Sequence, residues 1–369
     1  MKSLDNRLRK TILLTITNKC NLNCIYCYEG MKNSKEMSFE IAKGIIEKEL
    51  GEDENGIHLI EFHGGEPFLN FSLMKQVCEW FWNTYPNSST HFFATTNGTK
   101  ITNVVRKWLE NNKDKITLGL SLDGTPDMNM CNRGCKMSIE ILDFFHKLWP
   151  EQNIKMTVSK KTLPFLSDGV IYAHEWGFPV SVNLAYGLDW QESEIETYAK
   201  ELMKLVDYYV EHPEIEKCSI FSKSLTPVLK PYEIKRHCQA GRTFRAYDVD
   251  GLYFPCHVFS TNTLELEKWN KISNRDFEND ESLYEDLTCR NCTIHNICST
   301  CYGMNFIERG HPGKRDKRIC GFIFQEKLAL CELKKREILR KKLNDISELE
   351  YLELKSIQKI MDWKNSFQE

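Results

Sequence analysis

Several absences narrow the field before any motif is read. No apolar run of about eighteen residues occurs in the 369-residue chain, so no ordinary membrane-spanning helix is expected. Neither sign of charge dominates: 49 basic residues stand against 52 acidic ones, a net charge of −3. A whole-chain basic excess of the kind that marks a nucleic-acid partner is missing. The N-terminal MKSLDNRLRKTILLTIT is positively charged, but its apolar run is too short for a secretion signal and leads directly into cysteines. It reads as a first strand, and the expected location is cytoplasmic. Internal repeats and low-complexity segments are absent too. Against these absences stand fifteen cysteines. A disulfide scaffold would be short and extracellular, whereas clustered thiols in a reducing compartment bind metal or do redox chemistry.

The first two thirds alternate between strand and helix patterns. TILLTIT (11–17) is a β-branched apolar run, and MSFEIAKGIIEKEL follows with Ser38 as a helix cap. IHLIEF, HFFATTNG, ITLGLSLDG, IKMTVS and PVSVNLAYG read as further strands. Helices are expected at FSLMKQVCEWFW, about 101–111, 138–148, 166–176 and 192–212. Six short apolar strands with intervening helices predict an α/β fold, a partial (β/α)6 TIM-like barrel. CNLNC, HGGEP, TNGT, SLDG and AYG all follow strands, where parallel α/β folds build their sites. The expected division is a barrel over 11–212, a connecting segment over 213–237, a cysteine-rich domain over 238–322 and a helical tail over 323–369. The tail's KKREILRKK reads as a solvated helical face.

CNLNCIYCYEG holds Cys20, Cys24 and Cys27 on one short loop. A structural zinc site uses four ligands. Three thiols could borrow a fourth from elsewhere, or hold three irons of a cubane and leave the fourth iron open to a substrate.

Cys20-x3-Cys24-x2-Cys27, with aromatic Tyr26 before the last cysteine, resembles the signature of the radical S-adenosylmethionine (SAM) enzymes. Gly64-Gly65-Glu66-Pro67 is similar to that family's GGEP element, which binds the cofactor's amino group. Ser121 opens SLDG, similar to the segment whose serine contacts the cofactor. Arg133, in CNRG, is similar to an arginine that meets the cofactor's carboxylate. The resemblance runs over roughly Thr11 to Gly187 and implies a [4Fe–4S] cluster chelated by SAM. Reductive cleavage of SAM would give a 5′-deoxyadenosyl radical that takes a hydrogen atom from the substrate. The cofactor carries that chemistry; the protein positions and shields it. A flavodoxin- or ferredoxin-type electron donor is the implied partner.

A second set, Cys238-x12-Gly251-x4-Cys256 and then Cys289-x2-Cys292-x5-Cys298-x2-Cys301 with Cys320, resembles the SPASM extension and its two auxiliary [4Fe–4S] clusters. By that resemblance Cys289, Cys292, Cys298 and Cys320 would hold one cluster and Cys238, Cys256 and Cys301 the other. The CSTC pair is one residue shorter than the usual spacing, which bears on Cys301. A zinc ribbon uses similar spacings. Among the remaining cysteines, Cys78 reads as a buried helical residue. Cys131 and Cys135 flank Arg133, and Cys218 and Cys331 are candidate extra ligands.

SPASM enzymes mostly act on peptides or proteins. Sulfatase maturases, which make formylglycine, carry an aspartate base after the GxxxxC cysteine; here that residue is His257, as in peptide-modifying relatives. Histidine can move a proton near neutral pH. The expected substrate is therefore a peptide precursor that gains a cross-link or related modification, with formylglycine formation the alternative. A barrel starting near Thr11 leaves no room for an N-terminal leader-binding module, so a separate peptide-binding protein could serve. HPGKRDKR (311–318) reads as a solvated loop that could also meet an acidic peptide. Readings from other classes are an electron-transfer scaffold and a zinc-binding interaction module.

Overall fold

The computed structural model describes residues 10–51, 58–234 and 236–365. Ile57 of the expected second strand and the last four residues of the expected tail lie outside them. β1 (Lys10–Thr17) is buried on both faces, as a continuous apolar run predicts for a central parallel strand. α1 (Phe39–Gly51), capped by the Ser38 hydroxyl on Ile41 N–H, leads to β2 (His58–Gly64). α2 (Phe71–Thr84), β3 (His91–Thr96), α3 (Asn103–Asn112) and β4 (Ile116–Leu120) continue the alternation. All four strands are parallel, and their register lines up Ile12, Ile60, Phe92 and Ile116 across the sheet. None of these four side chains keeps any exposed surface. Burying each contributes about 1.5–3 kcal/mol.

Two helices follow β4: α4 (Pro126–Arg133), absent from the sequence expectation, and α5 (Ile139–Leu148), capped by Ser138. The next strands, β5 (Ile154–Val158) and β6 (Val180–Leu184), form a separate two-stranded sheet. α6 (Leu166–Glu175) joins them, and α7 (Ser193–Glu211) follows.

The first sheet is completed from farther along the chain. β7 (Phe244–Tyr247) runs parallel to β1, with Leu13 opposite Ala246, and β8 (Tyr253–Phe254) pairs antiparallel with β7. The order is β4-β3-β2-β1-β7-β8. FRAY is too short and too polar to announce a strand; its place is fixed by long-range partners. Glu49 of α1, fully buried, receives Lys10, the Arg245 guanidinium and the Tyr247 hydroxyl. A buried carboxylate needs such partners, and they tie α1, β1 and β7 together. The result is the parallel-dominated partial-barrel α/β architecture expected, with β7 beside β1 as the unforeseen element.

α8 (Leu266–Asn270), α9 (Tyr302–Arg309), α10 (Cys320–Leu339) and α11 (Glu348–Asn365) complete the chain. The described residues fall into two compact units, one of 10–122, 133–154 and 238–281, the other of 123–132, 155–237 and 282–365. The units interleave along the chain; the boundaries at 212, 237 and 322 divide it by sequence pattern. In the second unit α10 packs on α7, with Phe322 against Trp190 and Tyr198. The expected solvated face of KKREILRKK is present over most of its length: Lys335 and residues 339–342 are exposed. On its inner side Lys334 pairs with Glu353 of α11 and Arg336 with Asp207 of α7, and the flanking Leu333 and Ile338 are buried. The positive charges follow the acidic faces of neighbouring helices. No helix among the described residues is long and apolar enough to cross a membrane.

Candidate functional site

The cysteine loop leaves the C-terminal end of β1 and is clamped by the end of β2. Gly65 N–H donates to Thr17 O at 3.2 Å and Glu66 N–H to Lys19 O at 2.9 Å. A Cβ at Gly64 would lie 2.2 Å from Thr17 O, and one at Gly65 2.4 Å from Lys19 O and 2.8 Å from Cys20 Cβ. Only glycine permits that approach, so the paired glycines set where Cys20 begins. Within the loop Cys27 N–H donates to Cys24 O, and Lys32 Nζ donates to Leu22 O. Cys20, Cys24 and Cys27 all keep part of their surface open.

Glu66 sits beside this loop, almost fully buried. Its Oε1 accepts from Thr96 Oγ1 at 2.7 Å and Phe68 N–H at 3.2 Å, and its Oε2 from Asn97 N–H at 2.8 Å. Burial raises its pKa above the usual carboxylate range, although these bonds and the Arg133 charge oppose the shift. A carboxylate has about four lone-pair sites, so three protein donors leave room for one more. Arg133, also buried, lies over the Tyr26 ring at 5.6 Å. Ser121 N–H donates to Thr96 O at 2.9 Å, which sets that serine next to the residue holding Glu66. The structure thus brings Tyr26, Gly64, Gly65, Glu66, Ser121 and Arg133 to one end of the sheet with the three thiols.

Three supporting residues escaped the sequence reading. Asn97 Nδ2 donates to Asn21 Oδ1, Asn21 Nδ2 donates to Thr99 Oγ1, and Thr99 N–H donates to Asn97 Oδ1. The TNGT turn after β3 therefore holds the cysteine loop from a second side. Its polar composition was the available signal, but the partner on the loop could not be read locally.

His257 follows Cys256, whose Sγ is 3.8 Å from its Nδ1. The His257 ring stands 4.6 Å from that of His63 and 5.8 Å from Tyr28, one residue past Cys27. His63 Nε2 in turn meets Glu29 Oε1 at 3.0 Å. Burial works against ionisation of Glu29, but the His63 contact outweighs it and holds the pKa below the usual range. Neither His63 nor Glu29 was singled out, though each adjoins a motif. Cys238 belongs to the same unit and is exposed.

In the second unit, Cys289, Cys292, Cys298 and Cys320 lie within electrostatic reach of one another. Burial pushes the Cys320 thiol up to about 11. Lys317 Nζ approaches Cys289 Sγ at 3.0 Å and Asp286 at 3.2 Å. Burial disfavours the Asp286 anion, yet hydrogen bonds from Thr288 and Arg315 N–H hold its pKa down at about 2. Arg315, almost fully buried, donates to Cys298 O at 2.7 Å. HPGKRDKR is a solvated loop only in part: Lys314, Lys317 and Arg318 are exposed, while Arg315 is buried in the cysteine region, where the Asp286 carboxylate and the Cys298 carbonyl accept from it. Cys301 is half-buried at the start of α9. Cys78, Cys218 and Cys331 are buried. Among the described residues no three His, Cys, Asp or Glu side chains converge on a single-ion site. A cubane, which takes its thiolates on separate irons, does not ask for that convergence.

A partial α/β barrel with three thiols, a carboxylate and a guanidinium at the strand ends defines a cofactor-dependent class. Residues 14–202 match the Radical SAM superfamily, half of the chain, and the chain belongs to that superfamily. It is 33% identical over 174 residues to an uncharacterized protein of Methanocaldococcus jannaschii, covering 46% of this chain and 59% of that relative. The chain thus spans less than two thirds of that relative's length. It is 23% identical to the cysteine-type anaerobic sulfatase-maturating enzyme of Clostridium novyi, over 87% of this chain and 93% of the other. Among solved structures, anSMEcpe with bound AdoMet and Kp18Cys peptide shares the fold with a TM-score of 0.65 and 20% identity, covering 90% of this chain and 98% of the other.

Proposed function

We propose that the chain is a SPASM-type radical SAM enzyme that modifies a peptide. The observation that carries this reading is the three-thiol loop clamped on Gly64-Gly65, with Glu66, Arg133 and Tyr26 assembled beside it. The donor set fits the cofactors. Cys20, Cys24 and Cys27 would ligate the first cluster; Glu66 has acceptor capacity for an ammonium, and the Arg133 guanidinium suits a carboxylate. Gly64, Gly65, Ser121 and Tyr26 would line the rest. When bound, the cluster and SAM supply the radical that takes a hydrogen atom from the substrate.

The mutual approach of Cys289, Cys292, Cys298 and Cys320 supports an auxiliary cluster on those four. Cys238, Cys256 and Cys301 would hold another. His257, next to a proposed ligand and with its ring 4.6 Å from that of His63, would accept a proton from the substrate. The peptide in the related anSMEcpe structure supports a peptide substrate here. Full-length likeness to a sulfatase maturase favours formylglycine formation as the second reading. Histidine at 257 in place of the aspartate base weighs against it.

The test is anaerobic reconstitution, reduction with dithionite, and quantification of 5′-deoxyadenosine from wild type and Cys24→Ser. Cleavage is expected in the wild type alone. Equal cleavage by both, or none by the wild type, contradicts the assignment.

A further inference from the structure

A cavity of about 190 Å³ lies wholly inside the second unit, at the C-terminal end of β6. Leu184, Tyr186, Ile220, Met304, Ile323 and Lys223 are on its wall.

The wall carries an open strand edge. Ala185 N–H donates to Val158 O, so odd-numbered residues of this stretch turn their backbone toward β5. Alternation turns the even-numbered ones the other way. Val180 O accepts from Ser219 N–H, and Val182 is bonded on both its groups by Ser219 Oγ. Ser219 covers the edge only that far. The next groups on that edge belong to Leu184, and no described residue outside the strands bonds to them. Backbone groups left open at a strand edge are a ready template for another strand.

The charges on the wall are unequal in what they do. Arg309 is engaged by Glu308 and Asp316, and Arg318 bonds both of those carboxylates. Glu326 accepts from Tyr198 Oη at 2.9 Å and meets Lys327 at 3.4 Å. Lys223 alone among the charged residues of this wall has no ion pair or hydrogen bond with a described residue. Loss of water around its ammonium, together with the Lys327 charge, draws its pKa below the ordinary lysine value. An incoming carboxylate would offset both with an opposite charge, adding to the opposing pull that Glu326 already exerts.

We propose that this cavity docks an extended peptide segment, which adds a strand to β6 at Leu184 and sets an acidic side chain against Lys223. Main-chain bonds would supply register-fixed affinity, and the lysine and apolar wall would select side chains. This deepens the peptide-modifying reading and rests on it.

The test is display selection of random eight-residue peptides against the full reconstituted chain and against Lys223→Glu. Wild type is expected to enrich Asp or Glu at one position by at least about fivefold, and Lys223→Glu to exchange that preference for Lys or Arg, as complementary charge requires. N-methylation of a selected peptide, scanned along its length, is expected to abolish binding at one residue, the one whose N–H would donate to Leu184 O, and to be tolerated at its two neighbours. No acidic enrichment, a preference indifferent to Lys223→Glu, or tolerance of every N-methyl group would overturn the proposal. SAM cleavage is assayed in the same samples. Acid-selective binding without cleavage counts against the enzyme reading and leaves the docking site standing; cleavage without such binding does the reverse.

Discussion

Cys20, Cys24 and Cys27 follow the end of a buried parallel strand, whereas Cys289, Cys292 and Cys298 lie on or beside turns of three residues. Cys320 opens α10. The first loop is located by backbone: Thr17 O and Lys19 O accept from the residues after β2, and two glycines allow the contact. The second region is located by side chains. Asp286, Arg315 and Lys317 link its turns, Asn296 Nδ2 donates to Pro227 O and Pro231 O, and Asn305 Nδ2 to Pro312 O. A sheet exists without metal and can present a preformed ligand loop. Turns joined by polar side chains bury less apolar surface, so a cluster bound there would contribute more of their folding free energy.

The largest expected effect breaks the first region alone. Gly65→Ala pushes a methyl group against Lys19 O, so the cysteine loop must move. Such a variant should lose about four irons per chain and reduce SAM cleavage by at least about a hundredfold, with the auxiliary irons retained. Loss of all iron would mean that the two regions are not independent.

The reciprocal change is Lys317→Met, which removes the ammonium from Cys289 and Asp286. Iron should fall by about four per chain while SAM cleavage without peptide stays within about twofold. Intact iron content would show that Lys317 does not organise the auxiliary site.

Chelation sharpens the contrast. After iron removal, amide hydrogen exchange at 289–320 is expected to accelerate by at least about tenfold more than at β3, as a metal-dependent fold requires. Equal acceleration would remove the distinction drawn between sheet and turns.

A smaller effect lies outside both regions. His174 is buried between Phe178 O and the Tyr209 hydroxyl, and burial lowers its pKa. The neutral ring's contribution to stability is complete above the unfolded value near 6.5 and is lost as pH falls through the lowered folded value. His174→Asn should flatten the acid side of the melting-temperature profile between about pH 5 and 7. An unchanged slope would assign that side to other groups.

Legibility in the sequence followed the range of the interactions. The cysteine spacing, the Gly64-Gly65 pair and the buried strand runs are local features, and the first site and most of the sheet could be read from them. β7 could not, because FRAY becomes a strand only once Arg245 and Tyr247 meet Glu49. Nor was the burial of Arg315 within HPGKRDKR legible, for the same reason: its acceptors, Asp286 and Cys298 O, lie more than ten residues back in the chain. Asn21 with Asn97 and Glu29 with His63 are also long-range pairs.

The most direct measurement is iron and labile sulfide per chain, with zinc and 5′-deoxyadenosine counted alongside, in wild type and in a Cys20→Ser, Cys24→Ser, Cys27→Ser variant. Wild type should hold about twelve irons and the variant about eight with no SAM cleavage, at four irons per cluster. Equal iron in the two proteins, cleavage by the variant, or zinc in place of iron would contradict the account.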